Sequence, residues 1–229
     1  YNSDLFNTAN ISFLKGERVF FTTCNNEMLD CEIVYLEQNT KQVFYEIPAL
    51  SSDQFFNTQA FFSKQNSQKV LYFVSDRKGG FGGLDIWLSI IDNNGNFGVP
   101  INAGDKINSP DDEITPFYNK HDRMMYFSSN RENGAGGLDI YKAEGSLNLW
   151  IEPKNVEELN TSQDDLYLTF YDENSGYFAS NRKGAKFENT EYCCNDIFSF
   201  QYPTTPLDTI KPSSEIHDYL PLDLYFHND

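Results

Sequence analysis

Positive charge is scarce in this chain. Its 229 residues contain 17 Lys and Arg against 34 Asp and Glu, which gives a formal net charge of −17. A surface this acidic repels nucleic acid and anionic lipid headgroups, so we expect neither as a partner. No apolar run approaches the roughly 20 residues that a membrane-spanning helix needs, so we expect no direct membrane span.

The chain also lacks the short motifs of common enzymes and metal sites. It has no Gly-x-Ser-x-Gly elbow, no Walker loop, no His-Glu-x-x-His and only three histidines. It has no pair of Cys-x-x-Cys hooks for zinc, and no stretch combines helical periodicity with helix caps. The sequence therefore predicts a non-enzyme with no catalytic residue, no cofactor and no metal site.

Cysteine is limited to four residues, Cys24, Cys31, Cys193 and Cys194. Cys24 and Cys31 flank a short loop that should be a hairpin, so their β-carbons could meet in a disulfide. The neighbouring Cys193 and Cys194 either bond to each other or leave one thiol free. Disulfides indicate an oxidising envelope compartment.

The most informative feature that is present is an internal repeat. LYFVSDRKGGFGGLDIW begins at Leu71 and MYFSSNRENGAGGLDIY begins near Met125. A third copy, GYFASNRKG, begins at Gly176, and a fainter first copy begins at Val19. The aromatic anchors recur at intervals of about 50 residues, a period that is typical of propeller blades.

Each repeat contains short β-rich runs separated by Gly and Asn turns. One such sheet cannot bury both faces, but sheets stacked around an axis can. We predict an all-β propeller with four recognisable four-stranded blades and a Pro-rich C-terminal extension, with further blades if the chain is cut at its N-terminus. The propeller is assigned to 1–202, its repeats to 1–50, 51–107, 108–159 and 160–202, and the extended tail to 203–229.

The pattern Tyr-Phe-x-Ser-Asn/Asp-Arg, followed by Gly-Gly-x-Asp-Ile-Tyr, resembles the TolB-like, WD-type β-propeller repeat. The tail from Leu220 to Asp229 is similar to the opening of an OmpA-like peptidoglycan-binding domain. Bacteroidota place such a propeller before such a domain in proteins of the type IX secretion and gliding apparatus.

This resemblance implies a non-enzymatic protein–protein interaction scaffold or plug subunit of an outer-membrane secretion or motility complex. The expected location is the periplasm or the periplasmic face of the outer membrane. The expected partners are envelope proteins, with peptidoglycan bound only through a domain that is not present here.

An Arg and a later Asp flank the glycine turn of each well-matched repeat. The pairs are Arg77 with Asp85, Arg131 with Asp139, and Arg182 with Asp196. They could form ligand sites, but an active site seldom needs a copy in every blade. We therefore expect a structural role, in which the Arg fork ties a turn to a neighbouring strand or blade.

Two further functions remain open. The acidic pairs Asp111-Asp112 and Asp164-Asp165 could act as acid and base across the axis of a propeller hydrolase that cleaves glycans or peptides. The run Asp92–Asn96 places oxygens at alternate positions, as calcium loops do, although its glycine is misplaced and no late glutamate follows. A small-ligand or calcium-binding propeller is the third alternative.

Overall fold

The chain folds into four antiparallel sheets arranged in a ring, as a computed structural model shows. The structure describes residues 6–13, 16–25, 31–37, 43–51, 54–65, 67–185 and 195–203. Cys193, Cys194 and most of the predicted tail (204–229) lie outside these ranges. The prediction of an all-β propeller with four blades is confirmed, and the described residues contain no helix.

The blades follow one another along the chain. Blade 1 contains β1 (Phe6–Phe13), β2 (Val19–Asn25), β3 (Cys31–Leu36) and β4 (Phe44–Glu46). Blade 2 contains β5 (Asn57–Gln65), β6 (Gln68–Ser75), β7 (Asp85–Ile91) and β8 (Ile101–Asn102). Blade 3 contains β9 (Glu113–Asn119), β10 (Met124–Ser129), β11 (Asp139–Ser146), β12 (Leu149–Trp150) and β13 (Lys154–Asn155). Blade 4 contains β14 (Asp165–Phe170), β15 (Ser175–Ser180) and β16 (Asp196–Gln201).

The repeated aromatic motif forms the second strand of each blade, and its residues face both the preceding and the following blade. Successive strand residues point to opposite faces, so Leu71 and Phe73 of β6 pack towards blade 1 while Tyr72 and Val74 pack towards blade 3. All four are fully buried. Burial on both faces explains why this run is continuously apolar.

Three apolar cores join consecutive blades. Phe20 and Phe62 lie in the core between blades 1 and 2, Tyr72 and Phe127 in the core between blades 2 and 3, and Phe178 in the core between blades 3 and 4. No buried apolar cluster joins blade 4 to blade 1 among the described residues. The two ends of the ring therefore meet through other contacts.

Cys24 and Cys31 face each other across β2 and β3 and form a disulfide. This bond closes the hairpin that the spacing of the two residues suggested. No described segment forms a helix with the length and apolarity that a membrane crossing takes.

Candidate functional site

The repeated arginines tie each blade to the segment that precedes it. Arg182 donates to the Asp165 carboxylate and to the carbonyl oxygen of Leu159. Its Nε donates to Ser180 Oγ at 3.0 Å, and its guanidinium lies 4.6 Å from the centre of the Phe178 ring. Arg131 and Arg77 repeat this arrangement with Glu113 and Asn57 in the place of Asp165. These contacts lie within the fold and away from the axial cavity, and the structural role of the repeated arginines stays a prediction.

The repeated aspartates close the glycine turns. Asp85 accepts hydrogen bonds from the backbone of Phe81 at 2.6 Å and Gly82 at 3.2 Å, and Asp139 accepts the equivalent bonds in blade 3. A Cβ added to Gly80 would overlap the Asp85 carboxylate, which explains why glycine is needed there. Asp196 opens β16 opposite Ser180.

The acidic pairs that the hydrolase alternative invoked are occupied by blade contacts. Asp112 accepts a hydrogen bond from the Leu84 backbone at 2.8 Å, and Asp164 accepts one from Leu138 at 2.9 Å. Asp165 is fully buried beside Arg182. None of these carboxylates lines the cavity on the propeller axis.

A different set of residues meets at that axis. The innermost strands β1, β5, β9 and β14 each contain a bulge, and each bulge holds one residue with a left-handed backbone. These residues are Asn10 (φ 52°), Gln59 (φ 50°), Thr115 (φ 55°) and Tyr167 (φ 57°), which we call the axial ring. A left-handed conformation costs a non-glycine residue about 1–2 kcal/mol. Such strain concentrates at functional sites, so the axial ring is the candidate site.

Hydrogen bonds connect the four members of the axial ring. Asn10 Nδ2 and Gln59 Nε2 both donate to Tyr167 Oη, each at 3.1 Å. Gln59 Oε1 accepts from the backbone N–H of Thr115 at 2.7 Å. All four blades are therefore linked at the axis by uncharged groups that can donate or accept hydrogen bonds.

The axial ring forms the floor of a cavity of about 580 Å³. The lining residues run from the ring to the C-terminal ends of the innermost strands, so the cavity opens on that side of the propeller. Its wall includes a row of rings: Phe61 lies 5.0 Å from Phe117, which lies 6.1 Å from Phe170 between ring centres. The volume falls within the roughly 300–1,000 Å³ of small-molecule sites.

Charged side chains lie only towards the mouth of the cavity, in the part of the lining that the structure describes. They are Lys120 and Asp172, with His121 beside them. Asp172 accepts hydrogen bonds from the backbone N–H groups of Asn174 at 2.8 Å and Ser175 at 2.6 Å. The Asn174 N–H, assisted by that of Ser175, holds the pKa of Asp172 below its ordinary value, so this carboxylate is ionised at neutral pH.

The run Asp92–Asn96 forms a turn. Asp92 Oδ1 accepts hydrogen bonds from the backbone of Asn94 at 2.8 Å and Asn96 at 2.9 Å. No cluster of three or more His, Cys, Asp or Glu side chains suited to a metal occurs within the described ranges.

Solved structures share this fold at low sequence identity. The alpha-L-arabinanase of Penicillium chrysogenum, complexed with arabinobiose, matches 85% of this chain with a TM-score of 0.56 and 13% identity. The GH93 alpha-L-arabinofuranosidase of Fusarium graminearum, also with arabinobiose, matches 86% with a TM-score of 0.54 and 10% identity. An N-acetylgalactosamine deacetylase from F. plautii matches 88% with a TM-score of 0.51 and 15% identity, over 67% of its own length.

The likeness shows the fold alone. This chain spans 62% of the arabinanase and 64% of the arabinofuranosidase. No family model matches the chain, and no curated protein is similar to it in sequence.

These neighbours contradict three predictions. The resemblance to TolB-like, OmpA-associated proteins of secretion and gliding was wrong, because the solved propellers that match are glycan-active enzymes. The non-enzymatic scaffold function and its assignment to protein transport depended on that resemblance and are corrected with it. The prediction of a non-enzyme is contradicted by the same structures and by the deacetylase. The repeated motif misled because it serves blade packing, which any function can share.

Sequence reasoning missed the axial ring altogether. Its members are four different residue types, so they give no repeat signal when the blades are aligned. Their only shared property is a backbone conformation that the sequence of a non-glycine residue does not reveal.

Proposed function

We propose that the protein binds a neutral glycan in the axial cavity and cleaves it as a glycoside hydrolase. The observation that carries this proposal is the uncharged, hydrogen-bonded axial ring at the floor of an aromatic-walled cavity. The glycan-active enzymes with the same fold, two of them solved with arabinobiose, support it.

Both the hydrogen-bonding floor of the cavity and its aromatic wall suit a sugar. Amide and hydroxyl groups can donate to and accept from sugar hydroxyls without requiring a charge on the ligand. The rings of Phe61, Phe117 and Phe170 offer apolar contact to the C–H face of a sugar. The net charge of −17 disfavours an anionic polysaccharide, so the proposed ligand is neutral.

Asp172 is the carboxylate that we assign to the reaction. Most glycoside hydrolases use two carboxyl groups, one as an acid and one as a base or nucleophile. Asp172 is the single carboxylate among the described residues that line the cavity, and its lowered pKa suits the base or nucleophile. The lining also contains His121, Lys120 and three phenols, Tyr118, Tyr167 and Tyr171, which can transfer a proton to or from a sugar oxygen.

The test measures binding and turnover separately. Arabinobiose and a panel of neutral oligosaccharides are titrated calorimetrically, and hydrolysis is followed by release of reducing ends. Asp172→Asn should keep binding and lose at least about 100-fold in turnover, the usual scale for an acid–base group. Asp92→Asn is the matched control, because Asp92 accepts two backbone N–H groups in a similar turn outside the cavity.

The outcomes separate the two parts of the proposal. Failure of every neutral glycan to bind would exclude the function as a whole. Binding of a glycan that the protein does not hydrolyse would exclude the hydrolase and leave glycan binding. Equal turnover by Asp172→Asn and Asp92→Asn would remove Asp172 from the chemistry.

A further inference from the structure

The phenolic oxygen of Tyr167 has no lone pair left for a ligand. It accepts one hydrogen bond from Asn10 Nδ2 and one from Gln59 Nε2, each at 3.1 Å. A phenol oxygen carries two lone pairs and one hydrogen. With the Asn10 and Gln59 amides oriented as in the structure, both lone pairs are occupied, and Tyr167 can interact further only as a donor.

The orientation of the Gln59 amide is determined by the backbone. Amide oxygen and nitrogen are hard to distinguish by shape, so an assignment needs an unambiguous partner. The N–H of Thr115 is such a partner, because a backbone N–H can only donate, and it lies 2.7 Å from Gln59 Oε1. The other end of the amide, Nε2, must then face Tyr167. The Gln59 backbone is held as well, since its N–H donates to Thr22 Oγ1 at 3.0 Å.

The Tyr167 hydroxyl hydrogen has no acceptor among the described residues. Both hydrogen bonds of this hydroxyl are accepted ones, and the side chain lines the cavity with 41% of its surface exposed. Accepting two hydrogen bonds also polarises the O–H group and strengthens it as a donor. The axis of the propeller thus presents the Tyr167 O–H to the cavity as a donor.

We propose that Tyr167 is a specificity-determining residue that selects glycans by donating its O–H to one acceptor oxygen of the bound sugar. This inference rests on the proposed function and adds the requirement that the sugar carry an acceptor oxygen where the Tyr167 O–H points. A site built to donate to a substrate oxygen discriminates against the analogue that lacks this oxygen. One neutral hydrogen bond corresponds to roughly a tenfold difference in affinity.

The probes are arabinobiose and its singly deoxygenated analogues, titrated into the wild type and Tyr167→Phe. We expect one deoxy analogue to bind the wild type about tenfold more weakly than arabinobiose. Tyr167→Phe should bind arabinobiose about tenfold more weakly and should no longer distinguish that analogue. This loss of discrimination is a result that a purely structural role of Tyr167 would not produce.

Two further variants separate recognition from damage to the axial ring. Tyr177→Phe removes a phenol of similar exposure, 38%, from the same blade outside the cavity, and it should bind both sugars as the wild type does. Asn10→Ala disturbs the axial ring but keeps the phenol, so it should bind both sugars more weakly and still favour arabinobiose over the analogue. If the wild type binds arabinobiose and Tyr167→Phe discriminates as the wild type does, the inference is overturned while glycan binding stands. If the wild type binds no neutral glycan, the proposed function and the inference both fail.

Discussion

Asn10 of the first blade donates its side-chain amide to the phenolic oxygen of Tyr167 in the fourth blade, at 3.1 Å. Every other pair of consecutive blades shares a buried apolar core, and no such core joins these two blades among the described residues. The bond therefore lies at the junction that has no buried apolar core in the described part of the chain. Tyr167, a residue of the proposed binding site, therefore also takes part in the contact between these two blades.

The first prediction concerns this junction. Asn10→Ala should lower the free energy of unfolding by about 0.5–1.5 kcal/mol more than Asn133→Ala does, as measured by urea unfolding. Asn133 is the matched control because it has a similar left-handed backbone (φ 68°) but its side chain is exposed and makes no hydrogen bond within the described ranges. Equal losses in the two variants would mean that the Asn10–Tyr167 bond does not stabilise the ring.

The second prediction tests the strain in the axial ring. Gln59→Ala and Gln59→Gly remove the same side-chain hydrogen bonds but differ in their tolerance of a positive φ. Gln59→Gly should be more stable than Gln59→Ala by about 1 kcal/mol, because alanine pays for the left-handed conformation and glycine does not. At an ordinary strand position, the glycine variant is instead less stable than the alanine variant.

Lys64 supplies the control for that reversal. It is an exposed residue of β5 without a positive φ. Lys64→Gly should be less stable than Lys64→Ala by about 0.5–1 kcal/mol in the same urea titrations. If glycine is the worse residue at both positions, the backbone at Gln59 is not strained.

The third prediction uses the difference between two repeats. Arg182 pairs with a buried carboxylate, Asp165, whereas Arg77 donates to the neutral amide of Asn57. Arg182→Met should cost about 3–5 kcal/mol because it leaves a buried charge unpaired. Arg77→Met should cost less, about 1–3 kcal/mol, because it leaves only a neutral acceptor.

The double variant Arg182→Met/Asp165→Asn completes that comparison. Neutralising Asp165 should recover part of the stability that Arg182→Met loses, so that the double variant approaches Arg77→Met in chemical unfolding. A double variant that is less stable than Arg182→Met would show that Asp165 stabilises the blade mainly through its other partner, Thr161.

The blade architecture was predictable from the sequence because packing repeats. Tyr72 and Tyr126 occupy equivalent strand positions, and glycine is required wherever a turn closes on Asp85 or Asp139. Each blade must meet the same packing and turn requirements, so the same residue types recur. The recurrence also predicts a structural role for Arg77 and its equivalents, and this role stays a prediction.

The candidate site was not predictable because ligand recognition does not repeat. The members of the axial ring occupy equivalent bulges, but each blade places a different residue type there. The acidic residues that do repeat, Asp112 and Asp164, accept backbone hydrogen bonds from the preceding blade. In this propeller a repeated polar residue indicates structure, and the departures from the repeat mark the site.

The fourth prediction concerns the disulfide. Replacing Cys24 and Cys31 together with serine should cost about 2–3 kcal/mol, since the bond constrains a short loop in the unfolded chain. A reductant should lower the melting temperature of the wild type and leave that of the double variant unchanged. A variant as stable as the wild type would contradict a stabilising bond.

The fifth prediction is a pH dependence centred on Asp139. This side chain is fully buried, and its Oδ1 has no hydrogen-bond partner in the described structure. Burial raises the pKa of Asp139 above its ordinary value, although the N–H groups of Gly136 and Ala135 oppose the shift. The folded state therefore favours the protonated form. The resulting stability is fully present below the unfolded pKa of about 3.9 and is lost as the pH rises through the folded pKa.

Asp139→Asn does not titrate, so the stability of the wild type relative to this variant should fall as the pH rises from about 4 to 7. Urea unfolding at several pH values measures the difference. Asp92 gives the opposite sign, because hydrogen bonds from the Asn96 side chain and backbone lower the pKa of Asp92. The wild type should therefore gain stability relative to Asp92→Asn as the pH rises to about 5, through the unfolded pKa of about 3.9, and this difference should then stay level up to pH 7. If the two stability differences, from Asp139→Asn and from Asp92→Asn, change with pH in the same direction, burial does not raise the pKa of Asp139.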